Sequence, residues 1–317
     1  MHIFIELPTW LGDAVMSSPA IESIVANFSD AKITFFGSFA ACELFRPHPN
    51  CKNIVIDGSK NSKNRFLTLA KTARSLGEFD IAISFRSSFA SSFLLFCLKA
   101  QKKFKFKKQN LQLHQVLKYL NFIQNSLNLK EAKNELKLYF TPFKFQKKIL
   151  ALNPGASYGS AKRWYPNYFA KVALHFKDEF EILIFGGKGE LDICRQIEQI
   201  LASNGVTCQN LAGKTSIQEL CEKIGGIKEI GGIFITNDSG PMHIAAAYKV
   251  PTIALFGPTK FDETSPWKNE NARILHLNLN CMPCMKRVCP IKTHECMKNL
   301  TPNLVIKAAK ELKREIS

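Results

Sequence analysis

Short apolar runs rich in Ile, Val and Phe recur along the chain, each followed by a stretch whose apolar residues return every three or four positions. Runs without strict polar alternation suit strands buried on both faces of a parallel sheet, and the stretches between them suit amphipathic helices. In the first half this grammar predicts strands at 2–7, 32–37, 53–56, 80–85 and 135–140, and helices at 13–27, 41–45, 66–76, 87–98 and 114–127. Pro19 falls inside the first helix, which must kink there or restart with Ser18 as its cap. Between 99 and 108 six lysines interleave with Phe104 and Phe106. A lysine-bearing edge strand is the commoner origin of that pattern than a base-stacking surface.

The second half repeats the grammar, with strands at 149–153, 181–185, 208–211, 233–236, 252–256 and 272–277. Helices are expected at 167–176, 191–202, 217–224, 244–247 and 303–316. The last should bury Leu304, Ala308 and Leu312 along one face. Residues 141–148, TPFKFQKK, have no periodicity and read as a linker. The fold class is therefore α/β, with two domains at 1–148 and 149–317 and a cleft between them.

Composition sharpens this in three ways. The formal charge of +17 is uneven: residues 1–148 hold 22 Lys/Arg against 10 Asp/Glu, and residues 149–317 hold 21 against 16. An anionic partner should dock on the first half. No apolar run approaches the roughly 20 residues needed to span a bilayer, and the first residues lack a signal-peptide pattern, so a cytoplasmic location is expected. Ten cysteines in that compartment point to reduced thiols or metal ligands rather than disulfides.

Ligands of open α/β sheets collect beyond the carboxyl ends of the strands. Three loops lie there. Asp13, at a helix start after the first strand, is a carboxylate beside free N–H groups and suits a general base, although such residues often only complement the helix dipole. The loop NPGASYGSAKRW is rich in Gly and Ser, so its backbone can approach a phosphate while Lys162 or Arg163 supplies charge. The unit from 231 to 259, GGIFITNDSGPMHIAAAYKVPTIALFGPT, reads as strand, turn, helix and strand. Asp238 or Ser239 can cap its helix and Pro241 fits the first turn, though Asp-Ser-Gly-Pro is also a plain turn. No GxxxxGK[ST] and no GxGxxG after the first strand is present, which disfavours a P-loop nucleotide hydrolase and a dinucleotide oxidoreductase. A base in one half, with a phosphate cradle and a cation in the other, is what a sugar-nucleotide transferase needs.

Taken together, LGDAVMSSPAIESI, NPGASYGSAKRWYP and TNDSGPMHIAAAYKVPTIALFGPT resemble the bacterial lipopolysaccharide heptosyltransferases of glycosyltransferase family 9. The resemblance covers both halves. It implies a GT-B fold of two Rossmann-like domains with parallel sheets facing a central cleft, the acceptor on the first and ADP-heptose on the second. Asp13 matches the family's general base of an inverting transfer, and Lys162 the lysine at the donor phosphates. Asp238, Ser239, Gly240, Met242 and His243 match the donor turn, with Ala156 and Ser157 against phosphate. Where relatives place an acid against the ribose, Lys188 stands here with Glu190 two residues on. No cofactor is implied beyond the donor substrate. The implied acceptor is a phosphorylated, acidic lipopolysaccharide core at the inner face of the inner membrane, where a monomer would dock peripherally through Lys60, Lys63, Arg65 and Arg86.

The segment CMPCMKRVCPIKTHECM resembles the family branch that adds heptose to the first heptose of the inner core. Cys281, Cys284, Cys289 and Cys296 are also a zinc candidate, but the spacings after the CxxC are not those of a repeated CxxC pair. Lys286, Arg287 and Lys292 in this loop can instead help hold phosphate. Two alternatives remain at this point: a heptosyltransferase of the same family acting at another core position, such as on Kdo-lipid A, and a basic, zinc-containing nucleic-acid-binding protein. The second leaves Asp13 and the Asp238 turn without a role.

Overall fold

The apolar runs of the first half become one five-stranded parallel sheet in the computed structural model, which describes residues 1–108 and 111–316. In chain order the elements are β1 (His2–Glu6), α1 (Leu11–Met16), α2 (Ser18–Asn27), β2 (Lys32–Gly37), α3 (Phe39–Phe45) and β3 (Cys51–Ile56). They continue with α4 (Arg65–Ser75), β4 (Glu78–Ser84), α5 (Phe89–Cys97), β5 (Lys99–Lys105) and α6 (Gln115–Leu127). The strand order β3-β2-β1-β4-β5 reverses direction at β1/β4, and both neighbours of β1 run parallel to it. Phe4, Phe36, Phe79 and Leu94 pack in one apolar cluster of this unit. The lysine-rich run is the edge strand β5, paired with β4. The first helix does restart at Pro19, but after Ser17, whose backbone closes α1 and opens α2.

The strand expected at 135–140 does not form. Leu136, Leu138 and Phe140 are buried alternately, as a strand would bury them. Side chains of α2 replace a neighbouring strand: Ser18 Oγ accepts from Lys137 N at 3.0 Å, and Tyr139 Oη donates to Glu22 at 2.9 Å.

The second half builds a six-stranded parallel sheet from β6 (Ile149–Asn153), α7 (Pro166–His175), β7 (Glu181–Ile184), α8 (Leu191–Ser203), β8 (Cys208–Asn210) and α9 (Ile217–Glu229). It is completed by β9 (Ile233–Asn237), α10 (Gly240–Ala247), β10 (Thr252–Leu255), α11 (Phe261–Thr264), β11 (Ala272–Leu275), α12 (Glu295–Lys298) and α13 (Pro302–Ile316). The order β11-β10-β9-β6-β7-β8 reverses at β6/β9. Reversal points are where the loops above a sheet part and ligands enter. Of the three residues expected on the buried face of α13, Ala308 and Leu312 are buried together with Val305 and Ala309, while Leu304 is 44% exposed. At about 100° per residue the four buried positions 305, 308, 309 and 312 centre about 90° away from 304, which therefore falls at the edge of the buried stripe.

The two compact units are Met1–Tyr139 and Phe140–Ser317, a division nine residues before the linker end at 148. The reason is local. Tyr248 Oη donates to Phe140 O at 3.0 Å, Phe143 N donates to Glu222 O at 2.8 Å, and Gly226 leaves room for the Phe143 carbonyl where a Cβ would collide. The segment without sequence periodicity is thus bound to α9 and the end of α10.

Candidate active site

In the second unit two buried asparagines end the strands on either side of the reversal point. Asn153, closing β6, donates through Nδ2 to Thr236 Oγ1 at 2.9 Å and to Ser239 Oγ at 2.8 Å. Asn237, closing β9, donates to Pro154 O at 2.7 Å and accepts from Trp164 N at 3.2 Å. The Trp164 indole, 1% exposed, donates to Leu300 O at 2.7 Å. Both ends of the 154–164 loop are therefore fixed to the β9–α10 turn, and Lys162 is aimed by that frame.

Lys162 Nζ lies 2.5 Å from Asp238 Oδ2, and Thr259 Oγ1 donates to the same oxygen at 2.6 Å. The two charged side chains are 13% and 5% exposed. Removing one partner of such a pair typically costs about 3–5 kcal/mol, because the other charge stays buried.

Neither expected cap is made by a side chain. Ser239 occupies the N-cap position of α10 without a side-chain cap hydrogen bond, since its hydroxyl is bonded to Asn153 and the Asp238 carboxylate to Lys162 and Thr259. A helix start without a side-chain cap retains its partial positive charge for an anion. Met242 and His243 are buried, the former in a cluster with Ala254 and Phe256, so the Met242 side chain is core and only its backbone borders the turn. Ala156 is buried and Ser157 exposed in the facing loop.

The 3-10 turn after β7 separates the two ribose candidates. Glu190 accepts from Gly187 N at 2.8 Å, and its carboxylate occupies the space where a Cβ on Gly155 would go. Lys188 instead leans toward Gly213. Three residues of this site carry no signal of their own in the sequence: Asn153, Thr259 and Tyr158, whose ring lies 4.9 Å from Lys162 Nζ. All three stand inside the quoted motifs, but nothing in their spacing marks them.

The cysteine segment does not collect a ligand set. All ten cysteines are free thiols, and among the described residues no group of three His, Cys, Asp or Glu side chains is arranged to hold a metal ion. Cys281, Cys284, Cys289 and Cys296 line one cavity of about 20 Å³, and burial together with the neighbouring cysteines pushes the Cys296 thiol up to about 11. His294 has both ring nitrogens engaged: Nε2 faces Ala161 O at 2.9 Å and must donate, so Nδ1, 3.0 Å from Tyr165 Oη, accepts.

In the first unit Asp13 stands in the first turn of α1, where the Tyr119 hydroxyl of α6 donates to its carboxylate. Tyr119 is 4% exposed and lies edge-on to Phe85 and Phe106. Burial first, and then the Asp13 charge, pushes its phenol well above the usual range. Of the four acceptor candidates, Lys60, Lys63 and Arg65 are exposed around the start of α4. Arg86 is of a different kind. Its guanidinium donates to Leu7 O at 2.7 Å and lies 3.3 Å from Glu6 and 3.5 Å from Asp57. Burial raises the Glu6 carboxyl above its ordinary value, opposed by Arg86 and by the hydroxyls of Ser84 and Ser91.

Residues 111–294 match the family model described as glycosyltransferase family 9 (heptosyltransferase). The chain belongs to glycosyltransferase family 9. Among its family 9 relatives, the lipooligosaccharide heptosyltransferase 2 of Campylobacter jejuni subsp. jejuni serotype O:2 is 50% identical over 98% of both chains. The lipooligosaccharide heptosyltransferase 2 of Haemophilus influenzae is 26% identical over 98% of this chain and 99% of its own. The structure of E. coli ADP-heptose lps heptosyltransferase II superposes with a TM-score of 0.77 at 20% identity, covering 99% of each chain. That of the family 9 glycosyl transferase from Veillonella parvula gives 0.84 at 20% identity, over 99% and 97%. The family 9 fold of this chain is thus GT-B, and the chain is a glycosyltransferase.

Proposed function

We propose that the chain moves heptose from ADP-heptose onto the first heptose of a lipopolysaccharide or lipooligosaccharide inner core, with inversion at the anomeric carbon. The observation that carries this reading is the Lys162–Asp238–Thr259 arrangement beside the start of α10, which no side chain caps. The names of the Campylobacter and Haemophilus relatives support the acceptor, and the name of the E. coli ADP-heptose enzyme supports the donor.

In this mechanism Asp13 takes the proton of the acceptor hydroxyl as its oxygen attacks the anomeric carbon. The bond from that carbon to the β-phosphate oxygen breaks, and ADP departs with the bonding pair. Lys162 and the backbone around Gly240 meet the charge that gathers on the diphosphate, while Asp238 faces the heptose hydroxyls. Glu190, held against Gly155, takes the ribose hydroxyls in preference to Lys188. The chain acts as a monomer without a cofactor. Among the described residues no helix is long and apolar enough to cross a membrane, and the basic first unit with Lys60, Lys63 and Arg65 docks at the anionic cytoplasmic surface.

Transfer from ADP-heptose to lipid A cores truncated before and after the first heptose, read by mass, tests the assignment. Addition of one heptose only to the core that already bears one is expected. Addition to the core ending in Kdo would instead assign the other position within the family.

A further inference from the structure

We propose that Arg287, on the cysteine-rich loop, is a second cation of the donor's diphosphate subsite, held beside Lys162 by the ring of Tyr158. The inference rests on the proposed use of a nucleoside diphosphate sugar. Lys162 alone is a weak counterion for a leaving diphosphate, because Asp238 accepts its charge at 2.5 Å and the pair is close to neutral. A leaving diphosphate gathers more negative charge than such a pair can offset.

Arg287 has the position and the freedom to make up the difference. Its Cζ lies 5.5 Å from the centroid of the Tyr158 ring, the same ring that carries Lys162 Nζ at 4.9 Å. It is exposed and has no carboxylate partner among the described residues. A guanidinium presents a planar fork that matches phosphate oxygens and rests readily on an aromatic face.

The loop's backbone is fixed to the two loops that build the site. Ala161 N donates to Arg287 O at 3.0 Å, Tyr158 Oη donates to Met285 O at 2.7 Å, and Met285 N donates to Pro258 O at 2.8 Å, next to Thr259. Gly159 leaves room for the Arg287 carbonyl where any Cβ would collide. His294 adds its bond to Ala161 O. The cysteine segment thus acts as a clasp that presents a cation.

The test compares ADP and adenosine binding by calorimetry in the full chain and in Arg287→Ala and Arg287→Lys, with melting temperatures alongside. Arg287→Ala should weaken ADP at least tenfold, leave adenosine affinity and melting temperature unchanged, and be partly rescued by Arg287→Lys. ADP affinity in Arg287→Ala equal to that of the unaltered chain overturns the inference alone, as does an equal loss for adenosine. Failure of the unaltered chain to bind ADP overturns the donor assignment and this inference with it.

Discussion

Asp238 holds Lys162 through a single carboxylate oxygen at 2.5 Å, and Thr259 donates to that same oxygen. The pair links the 154–164 loop to the turn before α10, so it contributes to stability and, in the proposed mechanism, to chemistry as well, and the two are separable. Lys162→Met should cost about 3–5 kcal/mol by leaving the Asp238 charge buried, and should abolish turnover. Adding Asp238→Asn removes that charge. The double variant should regain most of the stability and none of the activity, measured by urea unfolding beside a transfer assay.

Tyr119 and Asp13 give a second separable pair. If Asp13 is the base, Asp13→Asn should fold normally and lose about 10²–10⁴-fold in turnover. Tyr119→Phe removes a hydrogen bond that favours the ionised carboxylate, so the Asp13 pKa should rise. The acidic limb of the kcat/KM profile should then move to higher pH, with a smaller loss of kcat. A profile that stays in place would show that the phenol only packs.

Arg86 is expected to act inside the fold. Burial already holds the Glu6 carboxyl above its ordinary value, and Arg86 is the charge that opposes this. In Arg86→Met the folded Glu6 pKa rises further, so the native state binds a proton that the unfolded chain releases at lower pH. Stability should fall as pH rises from the ordinary carboxylate range through the raised value. Melting temperatures between pH 4 and 8 should therefore show the smallest deficit at the acidic end. An acceptor-binding role alone would leave them superimposed on those of the unaltered chain.

Thiol chemistry should divide the cysteines by burial. Burial pushes the Cys42 and Cys194 thiols up to about 12 and raises Cys221 as well, whereas Cys281 is exposed. A rise of that size from 9 lowers the reactive thiolate fraction by about a thousandfold near neutral pH. Maleimide labelling read by peptide mass should modify Cys281 first and reach Cys42, Cys194 and Cys221 only after unfolding. A chelator should leave the melting temperature unchanged.

Much of the architecture was legible because it depends on local pattern. The apolar run at 32–37 became β2 with those bounds, and the lysine run became an edge strand. Legibility failed where burial had two structural solutions. Residues 136, 138 and 140 are buried alternately as in a strand, but Lys137 and Tyr139 between them bond to the side chains of α2, and a choice of partner 117 to 119 residues away carries no local signal.

The site divides in the same way. The positions of Asp13, Lys162, Asp238 and Ser239 after strand ends were legible because a motif records which residue types stand there. Their partners were not. That Thr259 shares the Asp238 oxygen, that Tyr119 reaches Asp13 and that Arg287 rests on Tyr158 depend on which loops each parallel sheet brings together. The sequence by itself determined the alternation of strand and helix, the family and the positions that carry charge. Only the tertiary structure decided how those charges are paired, because hydrogen bonds and ion pairs act over a few ångströms in space and have no period along the chain.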